Sequence, residues 1–318
     1  MRDASVVTLS HGRPGHLHNL VLGLCRQTVL PRELIVAVMQ DAAYDLPPAP
    51  FPVRQVMIDG TALLPLAAAR NRVAREVGGE VLVFLDTDCI PAPTLVEEYM
   101  RGLDTLDGLL MGEVLYLPGG AAAEGWRYED FLAVAVKHSD RQGPPASGME
   151  RCSDYRCFWS LNFAMRRATF LAAGGFDERY VGYGGEDTDF GKSLDHQGIP
   201  IAWLRGGLAF HQYHPHHMPP VHHLDSVVRN AELFEVKWGY RTMGHWLHAF
   251  RLMGLIDDAP GRPIRILRRP SPEDLRLTGQ QSHQPYSNTT TVIRWLEAQA
   301  AASRQVGAAA GAAAEAAE

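Results

Sequence analysis

Residues 81–91 have the sequence VLVFLDTDCIP, in which five apolar residues are followed directly by two aspartates, Asp86 and Asp88. A short apolar run of this kind predicts a buried strand. The preceding part of the chain carries three more such runs and two stretches of helical periodicity, at residues 5–9, 34–39 and 53–58 and at residues 17–28 and 66–77. Strands that alternate with helices predict an α/β fold built on a parallel sheet.

The acidic pair lies where the predicted strand ends, with a further helix expected over 94–106. Open α/β sheets bind their ligands at the carboxyl ends of the strands. Two carboxylates there suit Mg²⁺ or Mn²⁺ bridging a diphosphate. The alternative is a solvated turn, in which such pairs also occur, but the position after a buried strand favours a functional pair.

The overall composition indicates a globular protein. The 318 residues are 46% hydrophobic and 21% charged, enough for a large core. A formal net charge of −6 disfavours a nucleic-acid partner. The first residues lack a signal-peptide pattern and no apolar window is long enough to span a membrane, so we expect a cytoplasmic protein. Peripheral attachment at the inner membrane face, through a partner or a lipid acceptor, stays open.

The four cysteines are too few and too irregularly spaced for a disulfide scaffold or a paired zinc site. We therefore expect four reduced thiols. Cys152 and Cys157 lie five residues apart, and whether they pair stays open.

A second constellation, GYGGEDTD at residues 182–189, places three carboxylates at the start of a predicted helix over 187–197. Acids in a first helical turn are typical of capping and of favourable interaction with the helix dipole. That alternative does not explain the glycines or the flanking tyrosine. Because repulsion and partial burial raise a carboxylate pKa, we expect a catalytic base here.

The rest of the chain is less regular. Residues 118–155 predict a mobile active-site loop around one helix at 126–137. The other predicted elements are strands at 109–116, 159–166, 199–204 and 208–210 and helices at 168–173, 221–234 and 246–253. The alanine-rich residues 303–318 predict frayed helix or disorder.

Three segments carry a family resemblance, SVVTLSHGR, AAARNRVAREVGGEVLVFLDTDCIP and NFAMRRATFLAAGGFDERYVGYGGEDTDFGKSL. Together they resemble family 2 glycosyltransferases of GT-A fold, a Rossmann-like, mainly parallel mixed sheet flanked by helices. The latter half resembles beta-1,4-galactosyltransferases and bacterial chondroitin polymerase domains. The resemblance implies inverting transfer of a hexosyl or N-acetylhexosaminyl group from a nucleotide sugar, usually a UDP-sugar, with Mn²⁺ or Mg²⁺. The implied acceptor is a hydroxyl of a glycan, a lipid-linked sugar or a small molecule.

The resemblance also assigns roles and boundaries. It implies a metal site at Asp86, Asp88 and His211, a catalytic base at Asp187 with Glu186 as acceptor-binding neighbour, and further acceptor contacts from Tyr183 and Gly185. The implied nucleotide contacts are Ser10, Arg13, Asp41, Arg70, Asn71 and Asp86. A GT-A domain is expected over residues 1–255, with its nucleotide part at 1–115 and its acceptor part at 156–255, followed by an extension at 256–302.

Six histidines lie within thirteen residues, at positions 211, 214, 216, 217, 222 and 223. His211 follows an apolar pair and is similar to the histidine that completes the metal site in chondroitin polymerase domains. Imidazole suits Mn²⁺ better than Mg²⁺. For His214, His216 and His217 a simple loop or an acceptor groove is the expected role.

Two departures from the family pattern matter. Tyr183 stands where the galactosyltransferases carry a tryptophan, which is consistent with a different sugar or acceptor. After the second strand only Asp41 could contact the nucleotide base. Two other functions stay open, a sugar-phosphate nucleotidyltransferase, for which SHGRPGH at residues 10–16 is a poor triphosphate loop, and a noncatalytic glycan-binding module of the same fold.

Overall fold

The structure is a computed structural model that describes residues 3–59, 63–279, 285–286 and 288–315, with side chains up to residue 302. The chain divides into two compact units, Met1–His214 and Pro215–Glu318. The predicted acidic constellations and His211 all lie in the first unit.

The first unit contains twelve strands and six α-helices among its described residues. The strands are β1 Ala4–Ser10, β2 Glu33–Val38, β3 Val53–Met57, β4 Val81–Leu85, β5 Cys89–Pro91, β6 Leu109–Met111, β7 Val114–Tyr116, β8 Val136–Lys137, β9 Met149–Arg151, β10 Asn162–Arg166, β11 Ile201–Leu204 and β12 Ala209–His211. The helices are α1 Pro14–Cys25, α2 Leu66–Glu76, α3 Leu95–Thr105, α4 Tyr128–Val134, α5 Arg167–Ala172 and α6 Glu186–His196.

The larger sheet has eight strands in the order β3-β2-β1-β4-β10-β6-β11-β9. The first four strands run parallel, β10 is antiparallel to both of its neighbours, and β6 and β11 are parallel again. Every residue of β1, β2 and β4 is buried, so both faces of these strands are covered. Parallel strands covered on both faces are typically rich in apolar residues, as these are. The predicted mixed, mainly parallel sheet flanked by helices is confirmed.

A smaller sheet has the strand order β5-β12-β7-β8. Its strand β5 directly follows the acidic pair Asp86 and Asp88. The single strand predicted over 109–116 is wrong, since β6 belongs to the large sheet and β7 to the small one. The chain crosses between the sheets at Gly112, where a Cβ atom would lie 1.7 Å from the Gly207 carbonyl oxygen. Asn162 bonds this crossing, its amide donating to the Gly207 carbonyl at 2.8 Å and to the Glu113 carbonyl at 3.1 Å.

Aromatic rings connect the strands of the large sheet to α6. Phe84 of β4 stacks on Phe163 of β10, and Phe176 stacks on Phe190 of α6, each pair with ring centroids 4.4 Å apart. Replacing one such buried phenylalanine by alanine costs about 3–5 kcal/mol. This core holds the end of β4 and the start of α6, which carry the two acidic constellations.

Other boundaries and bonds also differ from the predictions. The helix expected over 126–137 is the shorter α4, which ends before the edge strand β8. Cys152 and Cys157 form a disulfide, so the expectation of reduced thiols holds only for Cys25 and Cys89.

The second unit is mainly helical. Its described elements are α7 Leu224–Trp238, α8 Gly244–Leu252, β13 Ile256–Asp257, β14 Arg265–Ile266, α9 Pro272–Thr278 and α10 Thr289–Glu315. α10 extends to Glu315 and so includes most of the alanine-rich segment, for which frayed helix or disorder was predicted. The last three residues of that segment lie outside the described residues. In the described chain, none of the helices combines the length and apolarity of a membrane span.

Candidate active site

The acidic pair forms a tight turn between the two sheets. The Asp86 amide donates to the Leu161 carbonyl and the Cys89 amide to the Asp86 carbonyl, both at 2.9 Å. β5 then pairs with β12 in antiparallel register, with His211 opposite Cys89. The Gln212 amide donates to the Asp88 carbonyl at 2.7 Å. Strand pairing therefore brings the histidine loop against the end of the D-x-D turn.

Asp88, His211 and His214 form a cluster whose ligand atoms lie within 4.8 Å of one another. His211 Nε2 is 3.5 Å from Asp88 Oδ1, and His214 Nε2 is 3.3 Å from Asp88 Oδ2. Burial alone would raise the pKa of Asp88, but the two imidazoles and the Arg13 guanidinium hold this pKa well below its usual value. One carboxylate and two imidazoles are a donor set that fits a divalent transition-metal ion such as Mn²⁺.

The composition of this cluster differs from the predicted ligand set. His214 lies beside Asp88, where the sequence led us to expect Asp86. The carboxylate of Asp86 faces Arg70 instead, with Oδ1 3.7 Å from NH2. The spacing His211-x-x-His214 is the feature of the sequence that could have indicated a second imidazole at this site.

Arg70 joins the two acidic constellations. Its guanidinium, on α2, lies 3.7 Å from Asp86 and 3.1 Å from Glu186 Oε1, and its side chain is only 4% exposed. Burial raises the pKa of Asp86 to about 7, Arg70 opposes the rise, and the charges of Asp88 and Glu186 add to it. The arrangement therefore holds a buried cation between carboxylates that repel one another.

Glycines shape the start of α6. Gly182, Gly184 and Gly185 have φ values of 79°, 89° and 93°, in the left-handed region that other residues avoid. The turn they form is attached through the Gly182 amide, which donates to the Leu64 carbonyl at 2.9 Å. Gly185 is thus the residue before the first helical turn, and Glu186 and Asp187 enter that turn directly.

Asp187 is the half-buried member of this turn. The Thr188 amide donates to its Oδ1 at 2.7 Å. Burial, and then the charge of Glu186, raises the pKa of Asp187 to about 6. Burial also raises the pKa of the neighbouring Tyr183 hydroxyl. A carboxylate with a pKa near neutrality is well matched to proton abstraction.

The loop after β1 reaches the same region. Ser10 Oγ and Thr87 Oγ1 are 3.1 Å apart, and Arg13 NH1 donates to Asp88 Oδ2 at 2.7 Å. Arg13 has a φ of 52°, which turns the chain into α1. Gln40 and Tyr44 bond this loop, since Gln40 Oε1 accepts from the Gly12 amide at 2.9 Å and the Tyr44 hydroxyl donates to the Gly12 carbonyl at 2.8 Å. The side chain of the predicted contact Asp41 is exposed.

Asn71 lies on α2 and bonds to a segment that is distant in sequence. Its amide donates to the Phe176 carbonyl at 2.8 Å and to Glu178 Oε1 at 2.9 Å, and its Oδ1 accepts from the Phe176 amide at 2.9 Å. The side chain is buried and its bonds attach the 176–178 segment to α2. Asn71 therefore positions the segment before α6, and its predicted nucleotide contact stays a prediction.

Known proteins match the chain in sequence. A family model described as the N-terminal domain of galactosyltransferase matches residues 146–217. Validoxylamine A glucosyltransferase of Streptomyces hygroscopicus subsp. limoneus is 25% identical over 269 residues, covering 72% of this chain and 55% of the relative. Chondroitin synthase of Escherichia coli is 27% identical over 176 residues, 47% of this chain and 25% of the relative. The chain thus spans little more than half of the first relative.

Solved structures show the same fold. TarS of S. aureus superposes with a TM-score of 0.51 at 12% identity, over 79% of this chain and 43% of TarS. GalNAc-T7, crystallised with UDP, GalNAc and Mn²⁺, gives 0.50 at 15% identity, over 67% of this chain and 44% of that chain. The fold is GT-A, as predicted. In sequence, the chain is similar to glycosyltransferases.

Proposed function

We propose that this protein is a metal-dependent, inverting glycosyltransferase that moves a sugar from a UDP-sugar to an acceptor hydroxyl. The observation that carries the proposal is the cluster of Asp88, His211 and His214 beside the Asp86–Arg70–Glu186 group. It combines a cation site with a separate carboxylate, Asp187, whose pKa is raised to about 6. These are the two functions that glycosyl transfer needs.

The cluster is the proposed holder of Mn²⁺. A divalent cation there supplies Lewis-acid neutralisation of the charge that develops on a departing diphosphate. Arg13, Arg70 and Ser10 lie around the same turn and provide hydrogen-bond donors for phosphate and ribose oxygens. A net-acidic protein can therefore bind a doubly charged diphosphate locally.

Asp187 is the proposed general base. It accepts the proton of the acceptor hydroxyl as that oxygen attacks the anomeric carbon from the face opposite the diphosphate, so the configuration inverts. Glu186 is held by Arg70, which leaves it suited to bind an acceptor hydroxyl rather than to remove its proton. Tyr183 and Gly185 are the further proposed acceptor contacts, and Asp41 stays a prediction as a base contact.

Thermal unfolding across UDP-, GDP- and dTDP-sugars, with and without Mn²⁺, tests the donor. A ligand that binds only the folded protein raises its stability by mass action. We expect the largest rise with a UDP-sugar plus Mn²⁺, and no rise with any nucleotide sugar would contradict the proposal.

Product analysis separates the reaction from its alternatives. Release of UDP in the presence of a glycan, lipid-linked or small-molecule acceptor supports transfer. Pyrophosphate formed from a nucleoside triphosphate and a sugar phosphate would identify a nucleotidyltransferase instead. Nucleotide-sugar binding without UDP release across the acceptor panel would identify a noncatalytic module.

A further inference from the structure

Arg141 is a buried cation that the proposed reaction does not use. It lies in the segment between β8 and β9, with 6% of the residue exposed, and its amide donates to the His138 carbonyl at 3.2 Å. In the described part of the chain, its Nε, NH1 and NH2 atoms have no hydrogen-bond acceptor. A guanidinium carries five N–H donors and keeps its charge in proteins.

Aromatic rings surround this guanidinium. Its central carbon lies 5.3 Å from the ring of Trp159 and 5.2 Å from the ring of Trp203, within range of cation–π attraction. Trp203 adds a further buried donor, since its Nε1 also has no acceptor among the described residues. These orphaned groups are therefore all donors.

In the described residues, Glu113 accepts no hydrogen bond from Arg141. Burial lowers the pKa of the Arg141 guanidinium, and the charge of Glu113 is among those that oppose this effect. Glu113 is instead 3.6 Å from the exposed Arg205. Buried charges in proteins are paired or hydrogen-bonded, because isolation from water is costly. Contact with two aromatic faces offsets only part of that cost.

We propose that Arg141 and the Trp203 indole form a buried binding site for one small monovalent anion, of the size of a halide or formate. A donor-only, positively charged pocket selects an acceptor that carries negative charge. The burial of both residues limits the ligand to a few atoms. Neither Arg141 nor Trp203 belongs to the Asp88–His211–His214 cluster, and Tyr116, whose ring stacks on His211 at 4.7 Å, is among the groups whose charge acts on Arg141.

Anomalous diffraction tests the site directly. Crystals of the full chain grown in sodium bromide and measured at the bromine absorption edge should show a peak within hydrogen-bond distance of the Arg141 guanidinium. Density for water without an anomalous signal at that position would overturn the proposal. This measurement uses the unaltered protein and does not depend on the folding of a variant.

A stability titration tests it in solution. With EDTA and constant ionic strength, replacing sodium gluconate by bromide or formate should raise the Tm saturably, on the order of 5 °C at about 100 times Kd. Arg141→Met should lose this rise and, in gluconate, unfold no earlier than the wild type. Arg205→Met, which removes an exposed arginine beside Glu113, should retain the rise. An equal rise in Arg141→Met and the wild type would assign the anion elsewhere and overturn the proposal.

The two anions distinguish the source of the ligand. A rise with bromide alone would indicate an inorganic ion, and a rise with formate would indicate a carboxylate-sized pocket. Both results support the site, because each depends on Arg141. The absence of an ion-specific rise in the wild type would contradict it.

Discussion

Asp88 and Asp187 are both aspartates at the ends of secondary-structure elements, but their surroundings act on them in opposite directions. Asp88 lies among His211, His214 and Arg13, and the two imidazoles and the guanidinium hold its pKa far below the usual value against the effect of burial. Asp187 lies beside Glu186, and burial with that like charge raises its pKa to about 6. The sign of the neighbouring charges, rather than burial, separates the two.

This contrast assigns different chemistry to the two regions. A carboxylate that stays ionised is a permanent ligand for a cation. A carboxylate that titrates near neutrality can take a proton and return it. Arg70 lies next to the second region and keeps Glu186 paired. The third acid of this helix turn, Asp189, accepts a hydrogen bond from the Tyr180 hydroxyl at 3.2 Å. Asp187 is therefore the acid of the turn that we propose to exchange protons.

Replacing Asp88, the carboxylate that stays ionised, should have the largest effect on Mn²⁺ binding and turnover. For Asp88→Asn we expect loss of Mn²⁺ binding and a fall in turnover of about 10³-fold, because the cation's stabilisation of the leaving group is worth several kcal/mol. Calorimetric Mn²⁺ titration and UDP release measure the two effects. The control is Asp195→Asn, an exposed aspartate of α6 paired with Lys192, which should leave both unchanged. Mn²⁺ binding of normal affinity in Asp88→Asn would contradict the ligand assignment.

Replacing Asp187, the carboxylate that titrates near neutrality, should lower turnover by about 10²-fold or more, the usual contribution of a general base. Asp187→Asn should still bind a UDP-sugar with Mn²⁺, as measured by thermal shift. The folded protein binds the Asp187 proton more tightly than the unfolded chain, so ionisation above the raised pKa costs stability. The variant should therefore be no less stable than the wild type at pH 8. Turnover near the wild-type level would remove Asp187 from the mechanism.

The pH profile reports the same carboxylate without a mutation. Because only ionised Asp187 can accept a proton, turnover should fall about tenfold for each pH unit below its pKa of about 6. UDP release at saturating donor and Mn²⁺ across the acidic range measures this limb. A flat profile down to pH 5 would show that the group titrates lower than its surroundings indicate.

Histidine variants test which side chains bind the metal. His214→Ala should weaken Mn²⁺ binding at least about tenfold, because it removes one of three protein ligands. His217→Ala, a histidine that lies outside the cluster, should leave Mn²⁺ binding unchanged. Asp86→Asn should weaken nucleotide binding more than Mn²⁺ binding, since its carboxylate faces Arg70. If Asp86→Asn weakened Mn²⁺ binding more than His214→Ala did, the result would support the predicted ligand set of Asp86, Asp88 and His211.

The smallest effect is expected at Arg13. Its guanidinium donates to Asp88 Oδ2 and competes with a cation for the same carboxylate. For Arg13→Met we expect Mn²⁺ to bind about three times more tightly without nucleotide, the scale of a partly exposed ion pair, while UDP-sugar binding weakens. Calorimetry with and without UDP separates the two. Weaker Mn²⁺ binding without nucleotide would show that Arg13 supports the site instead.

Local signals predicted much of this arrangement. Asp86 and Asp88 follow a strand with both faces buried, and the acids at residues 186–189 follow a glycine turn, so each group was placed by its immediate neighbours. The mainly parallel sheet followed from the same alternation of apolar runs. The family resemblance rested on these segments, and the match of the galactosyltransferase family model to residues 146–217 covers the second.

Long-range contacts were not predictable in the same way. Whether a histidine loop returns to Asp88 depends on the pairing of β5 with β12, which no local pattern specifies. The position of Asn71 on a helix was foreseen, but its bonds to residues 176–178 depend on a segment distant in sequence. The crossing at Gly112 likewise depends on its approach to Gly207.

The short antiparallel ladder between β5 and β12 has a consequence for sequence change. Side chains alternate across a strand, so a one-residue insertion within Ala209–His211 would turn the imidazole of His211 to the opposite face. An insertion in the connection at residues 205–208 leaves the ladder's own alternation intact, although Gly207 itself is confined by Gly112. Among homologues, length variation should therefore be absent from the three residues of β12.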